Sequence, residues 1–388
     1  MLAPRDINLC LIVALLAGAA CAQFDAEPGY LGLFLNGGGA GGSSSSVPAD
    51  WWDGDWSRRR LLSVDNTGRG ALSDVPVLVQ LTSSRVDYTE AAGDGSDVCF
   101  VSSDASAGST PLAHEIEQWN SGGTSILWLK VPSLPAASVA SVYMYYGGST
   151  CATTSSDTWN SNYQAVWHLS SSVNDSSGNA NALVATGTTD TTGLFANGLS
   201  FNGAGDQLED ADGENYINGQ SALTFAAWIQ AAATGTDRGF FFTGVPAGAD
   251  DVPGLRFDQA GATGGCANCF KGSVDVGGTN LQFESSSGIQ STTWTHVAMV
   301  WRSGSQMEFY VNGTLDTPTA NDAATAGTLT GATTVLVGIG AKDNGGTSWD
   351  GLMDEVRISN SAASADWVGA QYASMTDAMI SYGSEETL

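Results

Sequence analysis

Short apolar runs of strand length, each closed by a cluster of Gly, Asn, Asp or Ser, recur along this chain from Trp51 almost to its end. Alternation with period two puts successive side chains on opposite faces of a strand, and the turn residues end one strand before the next begins. The pattern predicts an all-β fold. Its clearest instance is "MEFYVNGTLD", where Met307, Phe309 and Val311 alternate with Glu308 and Tyr310. Asn312-Gly313 supplies the residues a type I′ hairpin turn demands. Only "SAASADWVGAQY" near the C-terminus reads as a helix, and it is short.

With 388 residues and 42% hydrophobic content the chain can bury two cores, although 49 residues are glycine. Residues 1–22 read as a secretory signal and 23–50 as a Gly/Ser-rich tether. Residues 51–148 read as a smaller β-sandwich and 149–164 as a Ser/Thr-rich linker. Residues 165–388 hold roughly a dozen short strands, which suit a two-sheet jelly roll. The leader ends in "LAGAACAQ". This allows cleavage before Gln23, or a lipobox in which Cys21 becomes a lipidated first residue. Both predict export, to the medium or the outer cell surface.

Thirteen basic against 40 acidic residues give a formal charge of -27. Such a surface repels nucleic-acid phosphates and anionic head groups, so nucleic acid is excluded as a partner and a membrane is reached only through a lipid anchor. Past the leader four cysteines remain: Cys99, Cys151, Cys266 and Cys269. An even number in an exported chain predicts disulfides, with a local bridge expected in "GGCANCFKG". Zinc at that C-x-x-C would need two further ligands, and no second pair or nearby His is present.

The second domain resembles the laminin-G-like jelly roll of the concanavalin A-like lectin/glucanase superfamily. The motifs that carry the resemblance are "AVWHL…DSSGN", "GLSFNGAGDQL", "LTFAAWI", "THVAMVW", "FYVNG" and "WDGLMDEVRISNSAASADWV". The first domain, through "DVPVLVQL", "DGSDVCF", "TPLAHEIEQW", "ILWLKVPSL" and "YMYYG", is similar to a bacterial domain family of unknown function. That family occurs on exported proteins and beside biopolymer-transport proton-channel subunits. The resemblance implies a non-catalytic module that binds a glycan or an extracellular protein. A structural or adhesive envelope protein is the alternative, and a glycoside hydrolase a distant one.

Catalysis finds little support in the residues. Glycosidases need two carboxylates at a set separation, and the superfamily's glucanase pattern E-x-D-x-x-E is absent. Glu115 and Glu117 share one strand face in "HEIEQW" and are expected on a solvated edge. His168 and His296 sit in apolar runs and read as structural, and no G-x-S-x-G or H-E-x-x-H motif accompanies the histidines. No catalytic residue is assigned.

Calcium, which takes six to eight oxygens from loop carboxylates, amides and carbonyls, is the one cofactor the loops suggest. "NDSSGN" offers Asn174, Asp175 and Asn179, and "DADGEN" offers Asp210, Asp212 and Glu214. Strict alternation along "LMDEVRI" places Asp354 with Leu352, Val356 and Ile358 on the buried face. There it serves as an acceptor for loop N–H groups or, with Asp175 and Asn179, as a calcium ligand. Glu355 and Arg357 fall on the other face as a surface pair worth under ~1 kcal/mol. For glycan stacking the candidate is Trp349, with Asp343, Asn344 and Asp350 around it, unless Trp349 only covers the end of the barrel.

Overall fold

The computed structural model describes residue 48 and residues 50–388, apart from 104–108, 171, 236–237, 245–253, 259–267, 287, 317–319, 331–335 and 341–347. The leader, the tether and Cys21 therefore lie outside the described residues. The chain first forms β1 (Arg58–Asp65), β2 (Leu72–Leu81), β3 (Cys99–Ser102), β4 (His114–Gln118), β5 (Ser125–Leu134) and β6 (Val139–Tyr146). A 3-10 turn at Ser155–Thr158 leads to β7 (Tyr163–Trp167), β8 (Val184–Thr186), β9 (Thr189–Thr192), β10 (Asn197–Asn202) and β11 (Gln207–Asp210). After the single turn α1 (Glu214–Ile217) come β12 (Ala222–Ala231), β13 (Arg238–Gly244), β14 (Gly254–Asp258), β15 (Cys269–Val276) and β16 (Thr279–Glu284). Then follow β17 (Thr295–Arg302), β18 (Glu308–Val311), β19 (Thr314–Asp316), β20 (Ala320–Asn321) and β21 (Leu336–Ile339). The chain ends with β22 (Asp350–Ser359), α2 (Ala365–Met375) and β23 (Ile380–Thr387). None of the described helices is long and apolar enough to cross a membrane.

Four sheets stack face to face. The first runs β23-β1-β6-β3 and the second β2-β5-β4. The third runs β19-β18-β17-β12-β22-β10-β9, with β7 also paired to β22, and the fourth runs β20-β16-β15-β14-β13-β21-β11-β8. Val77, Val79, Leu127 and Leu129 fill the core between the first and second sheets. Phe201, Phe225, Met299, Trp301, Val356 and Ile358 lie in the core between the third and fourth. The second and third sheets are covered on both faces. Leu78, Ile126 and Trp128 on the far face of the second meet Val166 and Trp228 on the outer face of the third. Burial on both faces is why "VPVLV" and "ILWLKV" read as nearly unbroken apolar runs.

The hairpin turn at Asn312-Gly313 takes φ of 48° and 75°, the two left-handed values a type I′ turn requires. The expected short helix is α2, capped by the Ser364 hydroxyl, which accepts from Trp367 N at 3.1 Å. β23 follows the jelly roll in sequence, yet it pairs antiparallel with β1 from Val64↔Ile380 to Arg58↔Thr387. Ile380 belongs to the first core, and Arg59 reaches Glu386 at 2.7 Å. Cys99 and Cys151 form a disulfide with Cα atoms 5.4 Å apart, packed among Trp51, Trp52, Trp56 and Tyr145. Cys269 is disulfide-bonded as well, and its expected partner Cys266 lies outside the described residues.

Candidate functional site

The third sheet's outer face carries the chemistry, and a bulge in β22 determines which residues reach it. Opposite β12 the register slips between Ala226, paired with Arg357, and Trp228, paired with Asp354. Glu355 takes up the extra residue with φ of 53°. Alternation therefore breaks at this point: Met353, Val356 and Ile358 point into the jelly-roll core, while Asp354, Glu355 and Arg357 lie on the other face. This corrects the strict alternation read from sequence. Asp354 is nonetheless fully buried, because the loop before β10 and the second sheet cover this side.

Asp354 Oδ2 accepts from Leu194 N at 2.7 Å and Phe195 N at 3.2 Å. It acts as an acceptor for loop backbone donors, and the loop is "GLF" at 193–195 rather than "NDSSGN". Gly193 permits the approach, since a Cβ there would sit 2.6 Å from Oδ2. Burial, then the neighbouring Glu355 and Glu117, push the Asp354 carboxyl well above the usual carboxylate range. Oδ1 has no hydrogen-bond partner.

Beside it lies a buried ionic network. Glu355 Oε1 is 2.7 Å from His168 Nδ1, and its Oε2 is 2.5 Å from Arg357 NH2. Glu355 and Arg357 are 2% and 4% exposed, so the pair expected at the surface is an interior one. Glu117 and Glu115 arrive from β4 of the second sheet. Glu117 Oε2 stands 3.5 Å from His168 Nδ1 and accepts from Trp128 Nε1 at 3.0 Å. Glu115 accepts from Trp159 Nε1 at 2.8 Å and from the Ser176 hydroxyl at 2.7 Å. Their side chains are 1% and 15% exposed, which overturns the solvated edge expected for both. β4 is at an edge of its sheet, but the third sheet packs over it.

Charges this deep must be paired or neutralised. Burial pushes the Glu117 carboxyl up to about 8 despite the pull of His168. Burial would lower His168, but Glu355, Glu117 and Glu115 together carry it well above the ordinary imidazole range. Burial would raise Glu355, but His168 and Arg357 hold it below the usual range. Arg357 also lies 4.2 Å over the Trp128 ring and 4.8 Å over that of Trp159, and its NH1 donates to Gln371 Oε1 at 2.8 Å. Glu117, His168 and Glu355 form the one cluster of potential metal-ligating groups found among the described residues. Its atoms already hold one another and Arg357.

Further along the same face the packing opens. Ala226 and Ala298 are cross-strand partners on β12 and β17. Two small side chains under α2 leave a hollow of about 300 Å³, walled by Tyr163, Trp367 and Val368 and rimmed by Asn160, Asn162 and Ser361. His296 at its base is buried against Trp228, with ring centroids 5.4 Å apart, and burial pushes it down to about 3. It therefore stays neutral at the base of the hollow. The lining contains no carboxylate. Its cation, Arg357, is already paired with Glu355.

The predicted ligand residues fall elsewhere. Trp349 is completely buried in the jelly-roll core and its Nε1 donates to Leu352 O at 3.3 Å, so it covers the barrel end and offers no face to a sugar. Asp350 opens β22 and lines a shallow depression with Gln230 and Thr292. Asp343 and Asn344 lie outside the described residues. Asp175 folds its own loop: Oδ1 accepts from Val166 N and Ser177 N at 2.9 and 2.8 Å, and Oδ2 from the Ser177 hydroxyl and Asn181 N at 2.8 and 3.0 Å. Asn179 turns its amide nitrogen inward to Tyr163 O at 2.8 Å. Asp210 accepts from Asp212 N and the Tyr216 hydroxyl, each at 3.0 Å. Neither the network nor the hollow was assembled from sequence. The available signal was Asp354, Glu355 and Arg357 set among Leu352, Met353, Val356 and Ile358 of one strand, and alanines centred in both "LTFAAWI" and "THVAMVW".

These features define a stacked β-sandwich protein whose C-terminal half is a lectin-type jelly roll. Residues 202–369 match the family model of the Concanavalin A-like lectin/glucanases superfamily. Residues 94–168 match a domain of unknown function, DUF2341. The chain thus carries a concanavalin A-like domain preceded by that domain. No curated protein sequence matches it. Among solved structures it is similar to domain 4 of AbnA, an extracellular arabinanase from Geobacillus stearothermophilus in complex with arabinotriose. There the identity is 17%, the coverage 54% of this chain and 98% of that one, and the TM-score 0.39. It is also similar to the binding domain of Paraclostridial Mosquitocidal Protein 1, at 14% identity, 55% and 52% coverage, and a TM-score of 0.43. A Trypanosoma rangeli sialidase aligns at 13% identity, 66% and 42% coverage, and a TM-score of 0.41. No site residue is carried over from any of them.

Proposed function

We propose that the protein is an exported, non-catalytic module that binds carbohydrate on the outer face of its jelly roll. One observation carries the reading: the hollow above Ala226 and Ala298, with aromatic walls, an amide and hydroxyl rim and no carboxylate in its lining. Sugars present apolar ring faces edged by hydroxyls, and mixed apolar pockets with a few polar groups suit them. The apolar leader and the Cys99–Cys151 disulfide favour an oxidising compartment outside the cytoplasm. The carboxylates of the network are engaged by His168, Arg357, Trp128, Trp159 and Ser176, and none of them lines the hollow, which argues against paired-carboxylate hydrolysis there.

The test is a glycan array of neutral and acidic polysaccharides probed with the purified chain, alongside a reducing-sugar assay on every glycan it binds. Binding without release of reducing ends supports the reading. Release of reducing ends makes the protein a hydrolase, and a blank array removes carbohydrate as its ligand.

A further inference from the structure

The hollow above Ala226 and Ala298 has a neighbour. A second depression, of about 290 Å³, is formed by Leu72, Ser73 and Asp74 of β2 together with Asn160, Asn162 and Trp367. The last three residues line both spaces. We infer that the two hollows are halves of one cleft divided by Trp367, and that it takes a neutral oligosaccharide of at least two units lying across that ring. The inference rests on the carbohydrate reading above and deepens it. It also gives the N-terminal sandwich a task, which is to supply the far wall of the cleft.

Trp367 is held in place from several sides. Its backbone N–H is capped by Ser364, and its side chain packs against two hydrophobic clusters, one of them the core of the N-terminal sandwich. In the preceding residue, Asp366 Oδ2 accepts from Gly70 N at 2.9 Å, which ties the first turn of α2 to the N-terminal sandwich. The Asn160 amide donates to Asp74 O at 3.3 Å, and its oxygen accepts from Asn162 N at 3.1 Å. Asn162 remains exposed on the shared rim. A half-buried ring fixed in this way presents an apolar platform at little entropic cost. Alone, each hollow sits near the lower end of the ~300–1,000 Å³ range of ligand pockets, whereas the two together fall well inside it. Neutrality follows from charge: the only cation in either lining is the paired Arg357, Asp74 adds a negative group, and the chain carries -27 overall.

The experiment is calorimetric titration of the full chain with cello-, xylo-, manno- and malto-oligosaccharides of one to six units, and with oligogalacturonides as the anionic series. At least one neutral series should gain ten-fold or more in affinity from one unit to two or three, and then level off. Ala298→Leu, which fills the first hollow, and Ser73→Trp, which blocks the second from the other sandwich, should each remove that gain. Trp367→Ala should weaken binding at least ten-fold, and circular dichroism of all three variants shows whether they fold. Equal affinity for one unit and for longer chains, or tighter binding of the anionic series, overturns the inference. So does full binding by Ser73→Trp, even while the carbohydrate reading stands. If no glycan binds on the array or in the titrations, both fall together.

Discussion

Two stretches of the third sheet's outer face, separated by only a few residues of β22, are packed in opposite ways. Around Glu355 the face is filled: four carboxyl groups, one imidazole, one guanidinium and two indoles occupy the junction between the sandwiches. Around Ala226 and Ala298 it is left hollow under a helix that could have packed against larger side chains. Interiors are normally close-packed, so a gap maintained by small residues and a densely paired ionic joint call for different explanations. The joint fixes the second sheet on the third. The hollow, which the joint borders through Arg357, is the space the proposed ligand would take.

The largest effect expected is at the joint. Arg357→Leu leaves Glu355 buried with half its partners and should cost about 3–5 kcal/mol in chemical denaturation. Ala298→Leu, on the same face, should change stability by under ~1 kcal/mol because it enters empty space. Comparable losses in the two variants would abolish the distinction between joint and hollow. Next comes the disulfide. Cys99→Ala with Cys151→Ala, which opens a link across a sequence separation of 52, should cost about 2–4 kcal/mol. Because the bridge is remote from the network, the pH dependence should keep its shape, and a changed shape would show that the bridge and the joint are coupled.

The pH dependence is the third test. Glu117 holds its proton up to about 8 in the folded state against 4.5 for an ordinary Glu. Between those values the unfolded chain has released a proton that the native state keeps, so stability falls as pH rises, by at most ~1.4 kcal/mol per unit. His168 adds to this in the same direction. Its stabilisation is full below 6.5 and is lost as pH climbs through its raised folded value. Thermal midpoints should therefore drop from pH 6.5 to 9, and Glu117→Gln, which mimics the protonated acid, should flatten part of that drop. An unchanged slope would remove Glu117 from the account. The smallest effect is expected from calcium. Asp175 spends four acceptor sites on its own loop, and Asp354 accepts two backbone donors. Calcium against EDTA should move the midpoint by less than about one degree, and a large rise would mean that the native state binds the ion after all.

What could be read from sequence follows the range of each interaction. The strands, the Asn312-Gly313 hairpin, α2 and the jelly roll depend on local periodicity and turn chemistry, and they were legible. The acceptor role of Asp354 was legible too, since an acid on a face that reads as buried needs donors. Its donors were not, because Leu194 and Phe195 are 160 and 159 residues away in the chain. The bulge at Glu355 depends on pairing with β12, and a pattern of period two cannot announce an extra residue. Glu115 and Glu117 look like edge residues until a second sandwich covers them. Trp349 in a glycine-rich loop looked available, but its environment is decided by which end of the core that loop closes.

The pairing of β23 with β1 has a mechanical consequence. The beginning of β1 lies beside the end of β23, Arg58 against Thr387, and the Leu388 amide donates to Ser57 O at 3.0 Å. Polypeptide attached at either side of this unit therefore departs from neighbouring points. A force pulling those two points apart loads the β1–β23 ladder one rung at a time, as a zipper opens, instead of shearing all its rungs at once. The first bonds to yield under tension would be those at Arg58, Arg59 and Arg60, where Glu385 and Glu386 add ion pairs to the rungs.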